Sequence, residues 1–139
     1  MKKKLMTLII AFLLLSACGG ITVKESSDQK IMFTTQPFML DEPEIVSLGK
    51  SALLGSPTDA FRLYEHYNLV EIDLAKTRFW VQIAAENGHV VAQYNYAHLL
   101  LAEGGPAGQN RGVYWLKQAA RNGDSDARNE LEEMNTKTP

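Results

Sequence analysis

Apolar and small residues recur at helical spacing over most of the chain. Phe79, Trp80, Ile83, Ala84 and Asn87 fall on one face of a 3.6-residue period, and Tyr114, Trp115, Gln118 and Ala119 take the corresponding places farther on. Gly88 and Gly123 stand where a left-handed residue ends a helix without a Cβ clash. Asp124 or Ser125 then offers a cap to the next helix, and Lys117 and Arg121 suit the C-terminal end of the one before. The pattern predicts helices over 43–54, 57–68, 74–87, 90–102, 110–122 and 125–135. Pro43 fits the first turn of the first helix, after Asp41 or Glu42 as cap. The stretch "EGGPAGQN", residues 103 to 110, reads as a loop.

The periodic runs are copies of one another. Trp80 recurs as Trp115, Ala84 as Ala119, Ala85 as Ala120, Asn87 as Asn122, Gly88 as Gly123 and Ala92 as Ala127, each pair 35 residues apart. A fainter copy, "SALLGSPTDAFRLYEHY", puts Ala52, Gly55, Ala60 and Tyr64 where the next unit has Ala85, Gly88, Ala92 and Tyr96. Repeats of this length are stacked helical hairpins, in which an aromatic fills space and alanines let a neighbouring backbone approach. From Ala60 to Trp80 is 20 residues and from Ala92 to Trp115 is 23, so the later connection is three longer.

The other apolar run is of a different kind. Lys2, Lys3 and Lys4 precede an apolar stretch from Leu5 to Leu15, and "LSAC" follows at once. At about eleven residues the run falls short of the ~20 that span a bilayer; it has the layout of a bacterial secretory signal over residues 1–17. The small residues before Cys18 resemble a lipobox, which implies cleavage there and acyl chains on the cysteine, an anchor of ~0.8 kcal/mol per buried methylene. Gly19 after the cysteine, rather than Asp, resembles the outer-membrane default of enteric lipoproteins. Residues 18–42 read as a lipidated tether ahead of a repeat domain at 43–136. Two apolar pieces, Ile31-Met32-Phe33 and Phe38-Met39-Leu40, either pack back on the folded domain or form a short partner-binding arm.

Composition removes several functions. Cys18 is the only cysteine of the 139 residues, which excludes an intramolecular disulfide and a thiolate zinc cluster. Without Lys2, Lys3 and Lys4, the 14 basic residues become 11 against 16 acidic ones, a net charge of −5 that disfavours nucleic acid. "EGGPAG" lacks the Gly-Lys-Ser/Thr ending of a phosphate loop, and no Gly-x-Ser-x-Gly supports a hydrolase nucleophile. His66, His89 and His98 have no metal-ligand spacing, and His89 reads as a solvated turn residue. The expectation is a protein that is not an enzyme and takes no cofactor or metal.

"WVQIAAENGHVVAQYNYAHLLLAEGG" and "QNRGVYWLKQAARNGDSDA" resemble Sel-one-like repeats, relatives of the tetratricopeptide repeat with the pattern A-x-x-x-L-A/G-x-L-Y-x-x-G followed by W-x-x-x-A-A-x-x-G. The likeness covers about residues 52 to 134 and departs at Leu100, where the family often has Tyr, and at Gly112, where Ala is usual. It implies an all-α fold, a short right-handed α/α solenoid of about two and a half hairpins that binds another protein. The cysteine-rich branch of the family is excluded by the cysteine-free repeats.

The repeat register then selects a face. With Ala60, Leu63, Tyr64 and Tyr67 inward, Arg62 and His66 lie roughly 200° and 240° round the helix from Ala60 and point outward. Their equivalents are Tyr94 and His98, then Asn129 and Glu133. In tetratricopeptide-like solenoids this helix set lines the concave groove. That implies two rows of partner-binding residues, Arg62–Tyr94–Asn129 and His66–His98–Glu133, with Tyr94 foremost because aromatics are enriched at binding hot spots. In anchoring and size the chain resembles periplasmic immunity proteins that neutralise type-six-secreted phospholipase effectors. An envelope scaffold or regulatory adaptor is the alternative.

Overall fold

The computed structural model of the chain describes residues 36 to 136. The signal segment, Cys18 and Ile31-Met32-Phe33 lie outside them. The described residues hold a short 3-10 turn, Gln36–Phe38, and six helices without a strand: α1 Glu42–Leu53, α2 Pro57–Leu69, α3 Leu74–Glu86, α4 Val90–Glu103, α5 Gly105–Arg121 and α6 Ser125–Thr136.

Each boundary has a local cause. Asp41 caps α1 by accepting from the Glu44 N–H at 2.9 Å while the Glu44 carboxylate accepts from the Asp41 N–H, a reciprocal capping box that chooses Asp41 over Glu42. Ser56 caps α2 and Asp73 caps α3. Asp124, rather than Ser125, takes the Ala127 N–H at 2.9 Å at the start of α6. The helix ends repeat as faithfully. At Gly55, Gly88 and Gly123, with φ of 106°, 94° and 103°, the chain closes one and the same paired turn. Ser56, His89 and Asp124 donate back to the carbonyls of Ser51, Ala84 and Ala119, and the glycines donate to those of Ala52, Ala85 and Ala120. Three identical stops divide the chain into repeated units.

The helices pack mainly as hairpins, α2 against α3 and α4 against α5, with α1 joined to α2 at one end and α6 to α5 at the other. This is a short α/α solenoid. Its core is built from the repeated small residues: Ala52, Ala60, Ala84, Ala92, Ala119 and Ala127 are fully buried, and around them lie Leu63, Val81, Tyr96, Leu100 and Leu116. Full burial of one such large side chain contributes roughly 1.5–3 kcal/mol. Trp80 and Trp115 are half-buried and pack against this core. Phe79 and Tyr114, placed on the same face by the periodicity, are 50% and 54% exposed, each set edge-on to its tryptophan neighbour. Gln93 ties the two hairpins together, donating to the Ala85 carbonyl at 3.2 Å and accepting from Asn122 Nδ2 at 2.8 Å.

Two expectations change here. First, the glycine-rich stretch is not a loop: α5 begins at Gly105, not at 110, and Gly104 and Gly105, with φ of 71° and 67°, make the turn. Pro106 sits in the helix's first turn, where its missing N–H costs nothing. Gly108 and Gly112, four apart on one face, are there for contact. A Cβ on Gly108 would stand 2.6 Å from the Leu100 carbonyl oxygen, and one on Gly112 would stand 2.5 Å from Leu101 Cγ. The departure from the usual Ala at 112 therefore has a reason: α4 and α5 touch too closely for a methyl group. Second, part of the expected tether belongs to the folded domain, since Leu40 is buried in the core beside α2. Of Phe38-Met39-Leu40, Leu40 packs into the core and Phe38 is half-buried, while Met39 is 57% exposed.

Candidate functional site

Side chains join α2, α4 and α6 in turn. Asn95 donates to the Tyr64 hydroxyl at 3.3 Å, and the Phe61 ring stacks on His89 with centroids 4.0 Å apart and planes 13° from parallel. His89 is accordingly not a solvated turn residue. It caps α4, its Nδ1 accepting from the Ala92 N–H at 3.3 Å, and burial pushes its pKa down. The unprotonated Nδ1 that the cap requires is the form that burial favours.

Between α4 and α6, two expected residues meet a third. Tyr94 packs edge-on to His98 with centroids 4.5 Å apart, and His98 Nε2 lies 3.0 Å from Glu130 Oε2. The Tyr94 phenol also hydrogen-bonds to Glu130. Burial first, and then the carboxylates of Glu130, Asp126 and Asp124, hold that phenol above its ordinary range, so it remains a donor. Glu130 is the residue that sequence reasoning passed over. It aligns with Leu63 and Asn95, an inward position in the earlier copies, so the register concealed its partnership with His98.

The two expected rows are only partly realised. Arg62, His98, Asn129 and Glu133 are exposed and Tyr94 is half-buried. Arg62 acts electrostatically on its own helix: it opposes the effect of burial that raises Glu65, and it adds to the Ser51 and Ser56 hydrogen bonds that lower Asp59. His66 is the correction. It is 3% exposed and does not face a groove. With Nε2 donating to Glu71 Oε1 at 3.2 Å, its Nδ1 accepts from the Leu40 N–H at 3.3 Å, and the Phe38 carbonyl lies 3.2 Å from the same nitrogen. The strap that precedes α1 crosses α2 here and covers a position that in the next unit, at His98, stays open. Lys76 completes the corner, 3.4 Å from Glu71 Oε2 and 4.4 Å above the Tyr67 ring.

Among the described residues, no three His, Cys, Asp or Glu side chains are placed to hold a metal ion, and no helix is long and apolar enough to cross a membrane. The fold and this surface define a class: a short solenoid of helical hairpins with one exposed face built from α2, α4 and α6. The chain is similar to the uncharacterized protein YibG of Escherichia coli strain K12, 28% identical over 138 residues that cover 95% of this chain and 90% of the relative. No family model matches the chain, and no solved structure matches it.

Proposed function

We propose that the chain is a non-enzymatic lipoprotein of the bacterial envelope, anchored through Cys18 and facing the periplasm, and that it is an immunity protein. Its Sel-one-like hairpins would bind and neutralise one secreted toxic effector of the phospholipase type. One observation carries the reading. The residues repeated between units are buried or half-buried packing residues and helix stops, whereas the outward positions of α2, α4 and α6 differ from unit to unit, with exposed Arg62, then half-buried Tyr94 and exposed His98, then exposed Asn129 and Glu133. Repetition makes a frame, and variation on one face makes it specific for one partner. A face this short suits occupying a single protein.

The experiment is co-expression in the periplasm with a phospholipase-type effector encoded beside it. The chain protects the cells, and Cys18→Ala reduces protection while leaving binding of the purified proteins unchanged. Absence of protection by every form sinks the immunity reading, and binding to resident envelope proteins in its place would make the chain a scaffold.

A further inference from the structure

The Nδ1 of His66 faces two groups that ask opposite things of it. The ring lies on α2 beneath the strap and is 3% exposed. Its Nδ1 stands 3.3 Å from the Leu40 amide nitrogen and 3.2 Å from the Phe38 carbonyl oxygen. The Leu40 N–H needs a lone pair on Nδ1, whereas the carbonyl needs a proton there. On the far side of the ring, Nε2 lies 3.2 Å from Glu71 Oε1, and a carboxylate in that place takes an N–H from either form of the ring. Both forms are therefore provided for. The neutral ring donates to Glu71 and accepts from Leu40, and the imidazolium donates to Glu71 and to the Phe38 carbonyl. What differs is the strap group left out: the Phe38 carbonyl in the first case, the Leu40 N–H in the second.

The charges around the ring pull in both directions. Lys76 Nζ, on α3, is 3.4 Å from Glu71 Oε2 and 3.6 Å from Asp73 Oδ2, so it fixes the Glu71 carboxylate and tempers its charge. Tyr67, next on α2, sets its ring edge-on to His66 with centroids 5.1 Å apart. Where the strap runs into α1, the carboxylates of Asp41 and Glu44 are taken up by each other's backbone N–H. Glu71 and the Phe38 carbonyl favour a proton on His66, while burial, Lys76 and the Leu40 N–H oppose one.

We propose that His66 is a proton-operated latch, which moves the strap's attachment from Leu40 to Phe38 when the ring takes up a proton. Histidine changes charge between about pH 5 and 8. A buried N–H without a partner is tolerated less than a carbonyl without one, so acid loosens the strap where Leu40 enters the core. The latch concerns the described domain alone and does not rest on the effector reading.

Its test is NMR on the full chain from about pH 8 to 5, following the His66 ring and the Leu40 amide, with the Ala92 amide reporting the separate His89 cap. The Leu40 amide passes through the same transition as the His66 ring, and Ala92 follows the His89 ring instead. Corrected for the intrinsic pH dependence of exchange, the protection of Leu40 falls about five-fold, the worth of one net hydrogen bond. Glu71→Gln removes the charge beside Nε2 and moves the Leu40 transition to lower pH by about half a unit. His66→Gln does not titrate and abolishes the transition. A His66 ring that keeps one charge throughout, a Leu40 amide that ignores it or tracks His89, or a transition that survives in His66→Gln overturns the latch. Should His66→Gln fail to fold, an unmoved transition in Glu71→Gln overturns it as well.

Discussion

At the residue scale, His89 is the position where structure alters chemistry most. Its ring is both a helix cap and a stacked neighbour of Phe61, and burial lowers its pKa. The unfolded chain takes up this proton near the ordinary value of 6.5, and the folded chain only at lower pH. Between those values the unfolded state binds more protons, so stability rises with pH. The cap's contribution is therefore complete above 6.5 and is lost as pH falls from there toward the folded value. The urea midpoint should drop from pH 7 down to about 5, and His89→Asn, which keeps an acceptor at the cap without a titrating group, should lose less over that range. Identical pH profiles for the two proteins would show that the cap does not titrate. Neither this role nor that of His66 was legible locally. Phe61 approaches His89 from 28 residues away and Leu40 approaches His66 from 26, and no periodicity reports such distant partners.

At the scale of elements, most of the helices were legible because Ala, Gly and Trp repeat at one spacing and each glycine stop uses the same turn. The start of α5 was not. Glycine and proline commonly mark loops, yet here Pro106 opens a helix and Gly108 lets it lie on the α4 backbone. The contact makes a sharp prediction. Gly108→Ala gains helix propensity of about 1 kcal/mol but forces a methyl against the Leu100 carbonyl, and overpacking of this kind costs about 1–3 kcal/mol. The net effect in urea denaturation should be a loss of stability. Gln109→Ala, an exposed change one residue on, should stay within about 0.5 kcal/mol. A Gly108→Ala protein more stable than the parent would mean that α4 and α5 are not in backbone contact.

At the scale of the whole molecule, two hairpins are few for a solenoid, which generally needs three or more stacked units. The described domain answers this by closing its ends. The strap places Leu40 in the core, α1 adds Ala52 with the half-buried Ile45 and Leu48, and α6 adds Ala127. The same closure shapes the candidate surface. The strap covers His66, while the tie from Tyr94 and His98 to Glu130 joins α4 to α6. The exposed face is thus displaced toward α4 and α6 from the two even rows that the repeat register implies.

That face is the central claim, and hydrogen exchange measured with and without the purified phospholipase-type effector tests it most directly. The account predicts a stable complex in which exchange slows along α4 and α6 and around Arg62 in α2, while α5 is little changed. No complex, or slowing confined to α5, would contradict it.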